Sequence, residues 1–356
     1  IHMEEDAGKL FHDAGKNQSY VDFNRAGIPL LEIVSEPDMH SAKEVVAYLE
    51  KLRLIIQYLG VSDCKMQEGS MRADVNISVR KRGERKLGTR CEMKNLNSFK
   101  AITRAIEHES LRQIGLLEAG ESVTMETRRF DDARGCSFSM RSKEDARDYR
   151  YFPDPDLPPF AISREWVESV RARQPELRAE KMLRYKREFD LPDYDIEILT
   201  GSKALADLFE QCERICHQPK KVSNWLMGET IRLLKLREMD PDELHITPAN
   251  LAKLILLVEN GTISNGVAKQ VFEIMFDKNI DPESYVNENK LGTIRDEGHL
   301  RVVCMQVIEQ HPQSVQDYRS GKKKAIGFLV GQTMKEMSGK ADAKEVSRLL
   351  AELLEE

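Results

Sequence analysis

Acidic and basic side chains alternate with apolar ones along the segment "KMQEGSMRADVNISVRKRGERKLGTRCEMKNLNS", which runs from Lys65 to Ser98. In its first half every second residue is apolar, namely Ala73, Val75, Ile77 and Val79. The intervening polar positions are Asp74, Asn76, Ser78 and Arg80. After a glycine-containing tip, Leu87, Thr89, Cys91 and Met93 alternate with Gly88, Arg90, Glu92 and Lys94. A period of two is typical of half-buried strands, so the segment predicts a β-hairpin with a charged outer face.

The two apolar faces of this hairpin coincide only if its loop has an odd number of residues. A loop such as Lys81 to Arg85, with Gly83 at its tip, places Asp74 opposite Glu92. Directly paired residues have Cβ atoms about 5 Å apart, so the two carboxylates would repel each other. A bound cation would relieve this repulsion. A solvated face on which Arg90 and Lys94 neutralise the acids would relieve it equally well, and the hairpin alone leaves both interpretations open.

Several familiar catalytic motifs do not occur in the sequence: it has no GxxxxGK[ST] loop, GxSxG elbow, HExxH pair or dinucleotide-binding glycine pattern. The chemically useful residues before Phe160 are instead acids and bases: Glu4, Glu5, Glu68, Arg72, Asp74, Glu92 and Lys94. Carboxylates beside arginine and lysine suit Mg²⁺ with phosphates better than they suit zinc.

Composition predicts a globular protein with two or three domains, since 356 residues exceed what one core usually holds. The apolar runs are too short to span a bilayer, and the N-terminus does not resemble a signal peptide. A net charge of -6 argues against binding polyanions over the whole surface, so nucleic-acid contacts must be local. The six cysteines include no CxxC pair and fit a reducing, cytoplasmic environment. Cys212 and Cys216, beside His217, are either part of a metal site or, as we favour, two small buried residues.

The elements that position these residues alternate between strands and helices up to Phe160. We predict a buried strand at Leu30 to Val34 and a helix from Ala42 to about Tyr58, which Ser41 and Glu44 begin as a capping box. A helix from about Ser98 to Ala119 follows the hairpin. A second hairpin turns at Asp131 to Gly135, and the proline-rich segment "YFPDPDLPPF" predicts an extended domain boundary.

Beyond this boundary the pattern is helical. The predicted helices are Glu165 to Arg173, Pro175 to Phe189, Ser202 to Cys216, Lys221 to Leu236 and Pro248 to Asn260. The fold class is therefore α+β, with domains at 1–160, 161–291 and 292–356. In the last domain Lys322, Lys323 and Lys324 begin a helix, and a loop at Gly339-Lys340 leads to the final helix. The lysine cluster could bind phosphate, although a solvated helix start is the more common role of such a run.

Several long motifs, taken in order, resemble one family, the GatB proteins, which are components of the aspartyl/glutamyl-tRNA amidotransferase. They are "HMEEDAGK", "VDFNRAGIPLLEIVSEPD", "KMQEGSMRADVNIS", "CEMKNLNSFK", "ETRRFD", "DYRYFPDPDLPP" and "KKKAIGFLVGQTMKEMSGKADAKEV". Family members carry a further segment before "HMEED" that completes the active-site cradle and often binds zinc through cysteine pairs. We therefore expect this chain to lack that N-terminal segment and not to bind zinc.

The resemblance implies a glutamine synthetase-like antiparallel cradle, a helical domain and a GatB/YqeY tail domain. It implies a cytoplasmic ligase that uses Mg²⁺ and ATP to phosphorylate the side-chain carboxylate of Glu-tRNA(Gln) or Asp-tRNA(Asn). Ammonia from the GatA amidase subunit then replaces the phosphate, and GatC completes the heterotrimer. The implied metal ligands are Glu5, Asp74, Glu92, His2 and Glu4. The implied catalytic residues are Glu68, Arg72, Arg90 and Lys94, and the implied tRNA contacts are Lys322, Lys323, Lys324 and Lys340.

Two other classes of function compete with this interpretation. The helical half alone is compatible with a non-catalytic tRNA-binding module. The acidic cluster alone is compatible with a metal-dependent nuclease or phosphotransferase.

Overall fold

The computed structural model of the protein describes residues 1–13, 15, 18–142, 159–294 and 296–355. The chain divides into two compact units. Ile1–Arg53 and Asp63–Phe160 form what we call the sheet unit, and Leu54–Ser62 and Ala161–Glu356 form the helical unit. Sheets and helices occupy largely separate parts of the chain, which confirms the predicted α+β class. Most of the predicted extended segment at Tyr151 to Phe160 lies outside the described residues.

The sheet unit contains two ribbons and one larger sheet. Its strands are β1 His2–Glu5, β2 Lys9–Asp13, β3 Gln18–Asp22, β4 Pro29–Glu32, β5 Ala73–Ile77, β6 Cys91–Leu96, β7 Glu126–Asp131 and β8 Cys136–Ser142. Helix α1 runs over Ala42–Leu59 and α2 over Phe99–Glu118. Strands β1 and β4 pair in one ribbon, β2 and β3 in another, and β5 to β8 form a sheet in that order. The β6–β7 pair is parallel, because α2 crosses over between the two strands.

The predicted hairpin forms from β5 and β6, with apolar residues on one side of both strands. Val75 pairs with Met93 and Ile77 pairs with Cys91, so the predicted parity is confirmed. The exact register was wrong, because Asn76 rather than Asp74 lies opposite Glu92. An irregularity between Ala73 and Val75 then shifts the pairing, and a bulge of this kind re-aims the side chains beside it.

Helix α2 covers the apolar side of the β5–β8 sheet. Ser98 begins the helix as its N-cap and accepts a hydrogen bond from the amide of Ala101 at 3.0 Å. The core beneath it consists of Leu49, Ile77, Met93, Leu96, Ile102, Ala105 and Phe130. Burial of this face leaves the alternate residues of β5, β6 and β7 on the other side of the sheet.

The strand predicted as buried at Leu30 to Val34 is exposed. It forms β4, but Leu31 is 49% exposed, and Val34, just beyond the strand, is 73% exposed. The prediction was wrong because β4 pairs only with β1, and a two-stranded ribbon cannot cover its own faces.

The helical unit consists of short helices around two separate buried clusters. Its helices are α3 Arg164–Arg173, α4 Arg178–Phe189, α5 Asp193–Leu199, α6 Lys203–Cys216, α7 Pro219–Trp225, α8 Ile231–Arg237, α9 Pro248–Glu259, α10 Asn265–Lys278, α11 Pro282–Glu288, α12 Glu297–Gln310, α13 Pro312–Arg319, α14 Ile326–Glu336 and α15 Ala343–Glu355. One cluster lies between Tyr185 and Val286, and the other lies between Leu300 and Leu354. Within the described ranges, no helix is both long enough and apolar enough to cross a membrane.

Two predictions for this unit need correction. The single helix expected at Lys221 to Leu236 is interrupted by a π-helical turn at Leu226–Thr230, where the Thr230 hydroxyl donates a hydrogen bond to the carbonyl of Trp225. Helix α5 was missed altogether, since seven residues give too short a periodic pattern. The favoured interpretation of Cys212 and Cys216 is confirmed, because the two residues are only 0% and 6% exposed.

Candidate active site

The uncovered face of the β5–β8 sheet gathers the charged residues of the first hairpin. The ammonium of Lys94 lies 2.6 Å from a carboxylate oxygen of Asp74 and 3.3 Å from one of Glu92. The hydroxyl of Thr127, on the neighbouring β7, donates a hydrogen bond to the other Glu92 oxygen at 2.8 Å. Partial burial of the ammonium opposes its charge, but hydrogen bonding to Asp74 and attraction to both acids raise the pKa of Lys94.

This geometry corresponds to the interpretation in which a cation of the protein neutralises the two acids. Asp74 and Glu92, named as metal ligands by the resemblance, both contact Lys94. Arg90 was expected to share this task, yet its side chain is exposed and makes no ion pair with either acid among the described residues. The charge of the hairpin is therefore balanced through one lysine.

A second group of ligand atoms lies on the β1–β4 ribbon. His2 is directly opposite Glu32, and its Nε2 lies 2.8 Å from a Glu32 oxygen. Glu4 is two residues farther along the same face of β1. One ligand atom from each of these three residues lies within 4.8 Å of the other two, and all three residues are exposed.

Two carboxylates and an imidazole at this separation fit a divalent cation, whose oxygen and nitrogen ligands lie about 2–2.6 Å from the metal. His2 and Glu4 were among the predicted metal ligands, whereas Glu32 was missed. Its signal was present in the sequence, since an acid ends the run "PLLE", but only the pairing of β4 with β1 places it beside His2. Glu5 follows Glu4 on β1 and therefore points to the other side of the ribbon.

Two predicted catalytic residues have partners elsewhere in the sheet unit. The guanidinium of Arg72 donates a hydrogen bond to Asp6 at 2.8 Å, and the side chain of Asp6 is only 13% exposed. The Asp6 backbone in turn bonds to Gly27 and Ile28, so Arg72 is tied to the chain that joins β1 to β4. Glu68 is 63% exposed and pairs with Lys65 at 3.2 Å.

A buried network of acids and arginines lies on the opposite, α2-facing side of the sheet. Glu109 is fully buried and accepts two hydrogen bonds from Arg112, at 2.8 and 2.9 Å. It also accepts one from Gln113 at 2.7 Å, while Arg128 donates to Ser137 on β8 and to Glu126.

Burial opposes the charge of Glu109, but hydrogen bonds from Arg112 and Gln113 outweigh it and lower the pKa of the carboxyl. Burial and the nearby Glu109 raise the pKa of the Cys91 thiol to about 11. This network joins α2 to three strands and fixes the backbone from which Glu92 and Lys94 project.

The predicted tRNA-binding lysines of the helical unit differ in their surroundings. Lys322 pairs with Asp317 at 3.0 Å, and the Lys323 ammonium lies 4.0 Å from the ring centre of Tyr318. Lys324 is exposed. Lys340 is less available, because its ammonium donates a hydrogen bond to the carbonyl of Lys290 at 3.0 Å.

Comparisons with known proteins bear on both units. Residues 1–168 match the GatB/GatE catalytic domain, and residues 207–354 match the GatB domain, which begins inside the region predicted as a separate helical domain. A protein of Agathobacter rectalis is 62% identical over 354 residues, covering 99% of this chain and 74% of the relative. A protein of Lachnoclostridium phytofermentans is 59% identical with the same coverage. One of Caldicellulosiruptor saccharolyticus is 54% identical, covering 100% of this chain and 75% of the relative.

All three relatives are named as the GatB-type component of an aspartyl/glutamyl-tRNA(Asn/Gln) amidotransferase. Identity above half over nearly the whole chain, together with two domain matches in the expected order, supports one conclusion. The chain belongs to the GatB family of aminoacyl-tRNA amidotransferase components.

Proposed function

We propose that this chain is the amidotransferase component that activates the carboxylate of Glu-tRNA(Gln) or Asp-tRNA(Asn) with ATP and converts it to an amide. The observation that carries the proposal is the convergence of His2, Glu4 and Glu32 inside the stretch that matches a catalytic domain. A purely tRNA-binding role is not favoured, because it leaves this ligand set and the Lys94 cluster without a task.

The chemistry requires activation because a carboxylate is a poor electrophile whose leaving group would be oxide. In the proposed first step a carboxylate oxygen of the aminoacyl group attacks the γ-phosphorus of ATP, and ADP leaves. In the second step ammonia attacks the carbonyl carbon, and phosphate leaves with the bonding electron pair. Both steps depend on positioning and on positive charge near the phosphate oxygens.

His2, Glu4 and Glu32 would hold a divalent cation, which we propose to be Mg²⁺. A cation there would neutralise charge on the phosphate oxygens during transfer. Lys94 supplies a second, permanent positive charge, since its two carboxylate partners keep it protonated. Glu5, Asp74 and Glu92 remain candidate ligands, but Asp74 and Glu92 would first have to release Lys94. We assign Arg72, Arg90 and Glu68 to the orientation of substrate.

We further propose a cytoplasmic heterotrimer in which the GatA amidase supplies ammonia from glutamine and GatC completes the complex. Lys322, Lys323 and Lys324 would contact the phosphates of the tRNA, whereas Lys340 contributes less because it is bonded to Lys290. Replacing the three clustered lysines with glutamine should weaken tRNA binding and reduce its salt dependence, with Lys340→Gln as the comparison. Equal effects of both changes would contradict this assignment.

The decisive experiment measures ATP-dependent conversion of Glu-tRNA(Gln) to Gln-tRNA(Gln), with ammonium chloride replacing glutamine. It uses the chain extended to the full length of its relatives and assembled with GatA and GatC. Glu32→Gln and Glu4→Gln should abolish conversion while a gel shift still detects bound tRNA. Glu50→Gln, on the exposed side of α1, is the matched control and should remain active. Full activity of the Glu32 variant would refute the proposed metal site, and RNA cleavage without ATP would favour a nuclease instead.

A further inference from the structure

A row of three side chains continues the candidate active site across the sheet. Lys94 on β6 pairs with Arg129 on β7, and Arg129 pairs with Phe138 on β8. Directly paired residues project from the same side of a sheet, so all three lie on the face opposite α2. Neighbouring strands are about 4.8 Å apart, which places Phe138 about 10 Å from Lys94 along the row.

The two outer members of the row have no internal task. Arg129 is exposed and makes no ion pair among the described residues. Its neighbour Arg128 points to the other side and bonds to Ser137 and Glu126. Phe138 is 47% exposed, whereas Phe130, on the inner side, is completely buried. The strands therefore place one arginine and one phenylalanine in the core and leave a second pair on the candidate active-site face.

Single exposed arginines and phenylalanines are common and usually need no explanation. Their order here is informative, because two cations are followed by an aromatic ring in one direction across the strands. A nucleoside triphosphate has the complementary order, with negative charge at one end and a flat apolar base at the other. Arginine binds phosphate through paired donors, and aromatic rings stack on bases of any sequence.

We propose that Arg129 and Phe138 are nucleotide-binding residues, with the phosphates of a nucleoside triphosphate on Arg129 beside Lys94 and the base stacked on Phe138. The inference rests on the proposed function in that ATP is the nucleotide. It adds the direction in which the nucleotide lies, from β6 at its phosphates to β8 at its base.

The test compares binding of Mg·ATP and of inorganic tripolyphosphate by titration calorimetry. Phe138→Ser should weaken ATP binding at least about fivefold, the lower end of what base stacking on an aromatic ring contributes, and leave tripolyphosphate binding unchanged. Arg129→Gln should weaken binding of both ligands about tenfold, because it removes a charge-assisted contact to phosphate. Phe138→Leu and Arg129→Lys serve as conservative second variants if the first pair unfolds, which a thermal transition will show.

Two control variants match the test residues in exposure and lie outside the row. Phe11 is 46% exposed on β2, and Arg134 is 73% exposed in the turn before β8. Phe11→Ser and Arg134→Gln should bind both ligands normally. Unchanged ATP binding in the Phe138 or Arg129 variants would overturn the inference alone. Failure of the unaltered protein to bind ATP would overturn the proposed function as well. Loss of RNA binding with normal ATP binding would assign the row to the RNA and also overturn the inference.

Discussion

The buried carboxylate of Glu109 gives the sharpest test of how the candidate active site is supported. Its side chain is 0% exposed and receives hydrogen bonds from Arg112 and Gln113, with Arg128 Nε at 3.6 Å. Glu109→Gln keeps the shape of the side chain but removes the charge and turns one acceptor into a donor facing Arg112. Removing one partner of a buried ion pair costs about 3–5 kcal/mol.

The lower end of that range is the expected value for this site. The side chain of Arg112 keeps 24% of its surface exposed and lies 3.6 Å from Glu126, so it retains a second partner. We therefore expect Glu109→Gln to lower the free energy of unfolding of the sheet unit by about 3 kcal/mol. With an m value of about 2 kcal/mol/M, the urea midpoint should fall by about 1.5 M.

The assay must report on the sheet unit itself. Both tryptophans, Trp166 and Trp225, belong to the helical unit, so tryptophan fluorescence does not follow the relevant transition. Hydrogen exchange of α2 amides across a urea series does. Glu107→Gln, exposed on the same helix, is the matched control and should change stability by less than about 0.5 kcal/mol. A Glu109→Gln midpoint within experimental error of the unaltered protein would refute the reasoning.

The pH dependence of this difference has a definite sign. The folded-state pKa of Glu109 is lowered from its ordinary value of 4.5, so the stabilisation is fully present above that value. It is lost as the pH falls through the folded-state pKa. The gap in stability between the unaltered protein and Glu109→Gln should therefore shrink below pH 4.5 and stay constant around neutrality.

Three further predictions concern other parts of the protein. Asp281→Ala should destabilise the helical unit by about 1 kcal/mol in thermal unfolding, because Asp281 caps α11 by accepting a hydrogen bond from the Ser284 amide. Tyr185→Phe should cost about 1–2 kcal/mol, since its fully buried hydroxyl donates to a buried carboxylate and a carbonyl; an unchanged urea midpoint would contradict this. Iodoacetamide at about pH 8 should label the half-buried Cys136 well before the fully buried Cys91, whose pKa is raised to about 11, and mass spectrometry of peptides will show the order.

The sequence predicted local structure well wherever one face of an element is buried. The alternation from Ala73 to Met93 identified both strands and the correct parity, because a shift by one residue would have exposed Met93 and Ile77. Ser98 and Gly120 predicted both ends of α2 within a residue. These signals depend on neighbours in the chain, and a single sequence contains them.

Pairings between distant segments were beyond such patterns. Nothing local indicates that Glu32 lies opposite His2, that Asp6 accepts from Arg72, or that β6 and β7 run parallel. The position of Lys94 between Asp74 and Glu92 was offered as one of two alternatives, and only the bulge at Ala73/Val75 decides the contact. Charge patterns predict which residues meet on a face but not which partners they choose there.

The two faces of the β5–β8 sheet handle charge in different ways, and this difference bears on how the site would work. On the inner face two acids and two arginines are joined by hydrogen bonds with little access to water, so exchanging a partner there would strand a buried charge. On the outer face Lys94 is 36% exposed, and its partner Asp74 is 49% exposed. Such exposed pairs are weak, so an incoming anion can take the place of Asp74 at low cost. Glu92 is held by Thr127 and would stay in place. The rigid inner network therefore allows the outer charges to rearrange around a substrate while the strands remain fixed.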